Sequence, residues 1–419
     1  MSQRSVRIPQ QKKRWWAKWG LKMSAGLLGL VVLLVLSYLA ALMIDMGPET
    51  AYRMITNGDS TPDTYKIFPY WTIATGGSVS ALKTASLANF PATVTFSYNG
   101  SQYTSRLTDL FAQTDTQAFI VIRNGTVIYE RYLGGASRDT LFTSFSMAKS
   151  FTSALIGIAI DEGKIKSVND PVIKYMPELK GRGLDRLAIR DMLLMSTGVA
   201  YWSDENLFPP LAPFSDNARQ YFTPDLRTLI LSVRPSSEPI GADFYYNEFY
   251  PLLEGLILER VTGETIAQFT QDTLWKPMGM EYPATWSLDS TEDGFEKTNS
   301  AFNARAIDFA RFGLLFLHQG RWNGRQIISQ QWVTESTTPD RSDQRPWLDN
   351  IYWKQAGGYY KYHWWGLHNP DGTYDYLAWG KYNEIIYVSP STNTVVVRLG
   401  GERSYPWPFA IRALIRSFP

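Results

Sequence analysis

Residues 146–163 read SMAKSFTSALIGIAIDEG, and this stretch decides how the rest of the chain is taken. From Met147 onward the apolar residues recur at helical spacing, and Gly163 follows as a stop signal. A serine at the start of such a helix sits among unpaired backbone N–H groups at the positive end of the helix dipole. That environment favours a developing oxyanion. One helical turn places Lys149 beside Ser146 on the same face. Burial by the apolar helix would keep the lysine neutral, so that it can take the serine proton. The competing reading is an N-capping serine followed by a solvated lysine. A second Ser-x-x-Lys, Ser80 to Lys83, leads only into a short run stopped by Pro91, and carries less weight.

Outward from this helix, residues 117–135 (QAFIVIRNGTVIYERYLGG) form two β-branched and aromatic runs around Asn124-Gly125, which predicts a hairpin. Near the C-terminus, residues 384–390 (EIIYVSP) and 393–401 (NTVVVRLGG) predict a second hairpin, and residues 409–418 a closing helix. Between them lie apolar helical patterns at 187–195, 250–261 and 304–317. Strands at both ends with helices in the middle predict one antiparallel sheet flanked by helices, with a helical subdomain inserted: an α/β (α+β) fold.

Tyr245-Tyr246-Asn247 is the only Tyr-x-Asn in the chain and directly precedes the 250–261 helix. It lies 99 residues after Ser146, a distance suited to a group on the inserted subdomain facing the nucleophile. Tyr245 is the expected proton relay to the leaving group. Asn247 is expected to hold the lysine and the acyl side of a substrate. For any one of 24 tyrosines, packing in a loop is the alternative. The aromatic run from Trp353 to Trp365 reads either as an apolar acyl pocket or as the filling of a strand and its turn.

These stretches, with DMLLMSTGVAYW (191–202), FYYNEFYPLLEGLILERVTG (244–263) and FNARAIDFARFGLLFL (302–317), resemble the serine β-lactamase-related superfamily. The likeness is greatest to its 6-aminohexanoate-dimer hydrolase and EstB-like esterase branch, covers roughly residues 110–400 and keeps the motif order. It implies a β-lactamase/penicillin-binding-protein-like fold and an acyl-enzyme mechanism. By that resemblance Ser146 is the nucleophile, Lys149 the general base and Tyr245 the partner acid/base, with Asn247 beside it. Where β-lactamases carry Lys-Thr-Gly, this chain reads Trp379-Gly380-Lys381, so the cation that grips a substrate carboxylate is missing or displaced to Lys381. The hydrolase branch has Gly-Gln where this chain has Asn383-Glu384. Trp379, Gly380 and Lys381 are the expected substrate-facing residues, and the backbone near 381–383 the expected second oxyanion donor.

Composition bounds the rest. No cysteine is present, which excludes disulfides, thiolate catalysis and cysteine–zinc sites. His318, His363 and His368 form neither a metal pair nor a Ser/His/Asp set, so no metal or cofactor is called for. Seven of the 41 lysines and arginines lie in residues 1–22, leaving 34 against 39 acidic residues elsewhere and no basic stripe for nucleic acid. Residues 23–44 (MSAGLLGLVVLLVLSYLAALMI) are uncharged and long enough to cross a hydrocarbon core of about 30 Å. They read as an uncleaved signal anchor in the lipid bilayer, with the basic segment cytoplasmic and the remainder outside; a cleaved signal peptide is the alternative. The expected division is therefore a tail (1–22), a transmembrane helix (23–44), an N-terminal extension (45–112) and a hydrolase domain (113–419). The expected activity is cleavage of a small ester or amide. The alternatives are β-lactamase or D,D-peptidase activity, or a non-catalytic acylatable membrane sensor.

Overall fold

The computed structural model describes residues 10–58, 60–203, 209–401 and 404–418. They fall into two compact units: residues 59–203 with 224–419, and residues 1–58 with 204–223.

The larger unit is built on an eight-stranded sheet. Its order is Gly358–Lys361, Trp364–His368, Tyr374–Trp379, Ile385–Ser389, Thr394–Gly400, Thr116–Arg123, Thr126–Tyr132 and Lys83–Thr84. All neighbours are antiparallel except the last pair. Both expected hairpins form. Asn124 and Gly125 have φ of 51° and 71°, the left-handed pair that a tight hairpin turn requires. The two chain ends meet in mid-sheet, where Val121 faces Val396. Strands covered on both faces should be apolar throughout, and every residue of Ile385–Ser389 and Thr394–Gly400 is buried.

The helix Ala148–Asp161 is buried from Ala148 to Ala159. Ala306–Leu317 lies against the sheet closely enough that a Cβ on Gly313 would come 2.7 Å from Val395 Cγ1 and 2.8 Å from Ile386 Cγ2. Phe249–Thr262 ends on Gly263 in the left-handed conformation. The other predicted helices appear as Ile189–Leu193 and Trp407–Arg416.

Residues 60–112 add strands to this unit. Tyr70–Ile73 pairs with Ala284–Ser287, in a four-stranded sheet that continues through Phe302–Ala304 to Phe142–Thr143. The second Ser-x-x-Lys is structural: Ser80 Oγ accepts from Asn323 Nδ2 at 2.7 Å and from Trp322 Nε1 at 3.2 Å, while Lys83 lies in an edge strand. In the aromatic run at 353–365, Trp353 lies in the short helix Ile351–Gln355 and Trp364 in a sheet strand, and both are fully buried.

In the smaller unit, one 37-residue helix spans Gln10–Met46. Its stretch Leu27–Met46 is long and apolar enough to cross a membrane. Residues 1–9 of the expected basic tail lie outside the described residues; residues 10–22 are helical. The unit also gathers Pro48–Asn57 and Asp216–Phe222, with an Arg219–Asp45 ion pair.

Candidate active site

The turn that carries Ser146 is held from both sides. Phe142–Thr143 pairs with Asn303–Ala304, and Ser144 N–H donates to the Phe302 carbonyl at 2.8 Å. The chain then turns sharply. Phe145 adopts φ of 42°, a left-handed conformation that costs a bulky residue on the order of 1–3 kcal/mol. A single 3-10 turn, Phe145–Met147, leads into the Ala148–Asp161 helix. The strain sits one residue before Ser146, which stays half-buried while its neighbours are buried.

Lys149 is 1% exposed. Its Nζ donates to Ser146 Oγ at 2.7 Å, to Glu248 Oε1 at 2.9 Å and to the Asn299 carbonyl at 3.0 Å. Three acceptors match the three protons of an ammonium. Asn299 Nδ2 also donates to Glu248 Oε2 at 2.8 Å, so this residue orients both members of the ion pair. Burial pulls the Lys149 pKa below its ordinary value, against the opposing pull of the Glu248 carboxylate and, more weakly, of Glu254. A lysine shifted this way is a better base near neutrality.

The tyrosine facing this lysine is not the expected one. Tyr245 O–H donates to the Tyr201 carbonyl at 3.2 Å, and the two rings meet edge-on. It is Tyr246 whose ring lies 4.9 Å from Lys149 Nζ. The reason is the period of two in an extended segment, which sends adjacent side chains to opposite sides. Phe244 and Tyr246 share one side and both contact Tyr360 and Trp365; Tyr245 takes the other. Asn247 does not hold Lys149 in this arrangement. Its Nδ2 donates to the Val199 carbonyl at 3.0 Å and its Oδ1 accepts from Phe249 N–H at 2.9 Å, which opens the helix. Glu248 takes the place beside the lysine. The acid directly before a long apolar helix was the sequence signal for it; Asn299 left no comparable signal.

The strand end at Trp379–Gly380 borders the turn that carries Ser146. A Cβ on Gly380 would lie 2.5 Å from the Ser144 carbonyl oxygen, so only glycine permits this approach. Trp379 Nε1 donates to Asn383 Oδ1 at 2.9 Å, and its ring packs on Trp353 and Trp365. Lys381 is turned to Ser60, donating to its Oγ at 2.6 Å, and is not the displaced substrate cation that was expected. Asn383 N–H donates to the Gly380 carbonyl at 3.1 Å, which commits that amide to the turn. Asn383 has φ of 58°, a left-handed position that glycine occupies freely and asparagine tolerates best among the rest.

Behind Lys149 lies a second polar layer. Glu254 Oε2 and His363 Nε2 are 2.8 Å apart with both side chains fully buried, and His363 Nδ1 is 3.1 Å from Tyr360 O–H. Tyr360 also lines a separate cavity of about 800 Å³ with Arg190, Arg345, Lys354 and Trp347; Ser146 and Lys149 do not line it.

Three comparisons bear on this geometry. The chain is 29% identical over 325 residues to the 6-aminohexanoate-dimer hydrolase of Paenarthrobacter ureafaciens, covering 73% of this chain and 76% of that protein. It is 25% identical over 206 residues to the esterase EstB of Burkholderia gladioli, covering 44% and 52%. A solved structure from Bacillus anthracis, provisionally a 6-aminohexanoate-dimer hydrolase, superposes with a TM-score of 0.69 at 21% identity over 88% of this chain and 92% of that one. A class C β-lactamase superposes at 0.54 with 15% identity over 75% and 94%. The last two show the same fold. The Beta-lactamase family profile matches residues 107–406, a span that holds Ser146, Glu248 and the Trp379 strand end, and the chain belongs to that family of serine β-lactamase-like hydrolases.

Proposed function

We propose that this chain hydrolyses a small ester or amide through an acyl-enzyme on Ser146. Lys149 takes the hydroxyl proton as Oγ bonds to the carbonyl carbon, and the carbonyl electron pair moves to oxygen. The N–H of Ser146 and the backbone at 381–382 are the donors proposed for that oxygen. Tyr246, in place of Tyr245, passes a proton to the leaving group as its bond to the carbonyl carbon breaks. Water then attacks the acyl group by the reverse route and frees Ser146. The observation that carries this reading is the 2.7 Å contact of Ser146 with a lysine that is buried and shifted toward its neutral form.

Two features argue against a β-lactam or D-alanyl substrate. Trp379 stands at the strand end where a lysine would grip the carboxylate, and Lys381 is held by Ser60. The Leu27–Met46 stretch supports anchoring in a bilayer, with the basic N-terminus cytoplasmic and the hydrolase domain, expected from residue 113 onward, outside.

Intact mass of the purified chain after treatment with a fluorophosphonate, and turnover of a p-nitrophenyl ester, test the proposal against Ser146→Ala. Labelling and turnover in the wild type alone support it. Labelling without turnover points instead to an acylatable sensor, and no labelling removes the hydrolase reading.

A further inference from the structure

We infer that Glu248 gives the attack-competent site a net negative charge and thereby selects against substrates whose acyl group is anionic. This rests on the proposed roles of Ser146 and Lys149.

With Lys149 as an ammonium, the Lys149–Glu248 pair at 2.8 Å is neutral. An ammonium cannot accept the Ser146 proton, so the form that attacks contains lysine as the free amine. Glu248 is then a carboxylate without its cation, 12% exposed and held in place by Asn299. When the serine proton reaches Lys149, the new ammonium is balanced by the oxyanion formed in the same step, so the charge at the site remains −1 from approach through addition. The other titratable groups facing this pair do not reverse that sign. Glu254 is matched with His363. Tyr246 and Tyr360 are phenols, and Asp349, whose Oδ2 accepts from Tyr246 N–H at 3.0 Å, adds further negative charge when ionised. The positions from which a cation would act are filled by Trp379 and by a lysine turned to Ser60.

A positive group on the acyl chain therefore meets an unneutralised carboxylate, and a negative one meets repulsion in a partly desolvated site, where charges interact more strongly than in water. The linkage also runs the other way. A bound cation favours the amine form of Lys149, so the rising limb of kcat moves to lower pH.

The test uses three p-nitrophenyl esters of equal chain length ending in a trimethylammonium, a methyl or a carboxylate group. In the wild-type chain, kcat/KM should fall in that order, by about tenfold per step at low ionic strength, and the spread should shrink with added salt. Glu248→Gln should bring the three values together, whatever it does to their common level. The rising limb of kcat, which reports the enzyme with substrate bound, should lie at lower pH for the cationic ester than for the neutral one, a measurement on the wild-type chain that needs no variant to fold. Equal or faster turnover of the anionic ester overturns the inference, and so does an ordering that survives Glu248→Gln. Failure of all three esters to acylate Ser146 by intact mass is a different result: it removes the hydrolase proposal first, and this inference with it.

Discussion

At the scale of single residues, the site is a contest over one proton. Burial drives Lys149 toward the amine while Glu248 holds it as the ammonium, and burial wins. Activity should therefore rise with pH through the lowered lysine pKa. Removing the opposing carboxylate with Glu248→Gln should move the rising limb of kcat/KM for a neutral ester to lower pH. A limb that stays put would show that Glu248 does not feel the lysine charge. The two tyrosines separate just as cleanly. Tyr246→Phe should cost about 10²-fold or more in kcat, the usual loss for a proton-transferring group. Tyr245→Phe, which gives up a bond to the Tyr201 carbonyl, should change kcat by only a few-fold. The reverse ranking would return the relay to Tyr245. Ser146 and Lys149 were legible in sequence because one helical turn fixes their proximity. The tyrosine was not, since two adjacent candidates differ only in which side of an extended segment each occupies. Reading Phe244 as core-facing would have put Tyr246, two residues on, on its side.

At the scale of elements, tight packing sets how much change each can absorb. Gly313 separates the Ala306–Leu317 helix from the sheet, and a methyl group there has no room against Val395 and Ile386. Gly313→Ala should lower stability by about 1–3 kcal/mol, measured by denaturant unfolding. The segment behind the Phe249–Thr262 helix carries a pH liability. Glu296 is buried, its Oε1 accepts from Ala267 N–H at 2.9 Å, and its Oε2 has no hydrogen-bond partner among the described residues. Burial raises its pKa to about 7. A carboxyl raised in the folded state binds more protons there than in the unfolded chain, so stability falls as pH rises from about 4.5 to about 7. The loss is on the order of 3 kcal/mol when complete. Glu296→Gln keeps the acceptor and removes the charge, so it should flatten the Tm profile across that window and raise Tm above it. An unchanged profile would place the titration elsewhere. Helix existence was legible from periodicity, and the ends fell within two residues of the expectation for 250–261 and 304–317. The strand Tyr70–Ile73 was not, because it gains its identity from a partner at Ala284–Ser287 that no local pattern announces.

At the scale of the whole molecule, the apolar stretch Leu27–Met46 and the large sheet belong to different compact units. The full chain should sediment with membranes and resist an alkaline carbonate wash, as expected for a spanning helix. A chain lacking residues 1–46 should appear in the soluble fraction. Release of the full chain by the wash would leave the segment as a cleaved or peripheral element. The long apolar helix was legible from composition alone, as 22 uncharged residues after a basic stretch. The division into compact units was not, because residues 204–223 gather with residues 1–58 rather than with their immediate neighbours in sequence.

The meeting of Thr116–Arg123 with Thr394–Gly400 in mid-sheet also governs how the chain is made. A ribosome adding about 5–20 residues per second needs roughly tens of seconds to travel from one strand to the other. Throughout that interval Thr116–Arg123 has a bare hydrogen-bonding edge, the kind of surface that recruits strands from other chains. The large sheet therefore cannot be completed until Thr394–Gly400 has been made. A premature stop codon upstream of Thr394 would yield a product that holds Ser146, Lys149 and Glu248 in its sequence but lacks the strand that closes the sheet beside them.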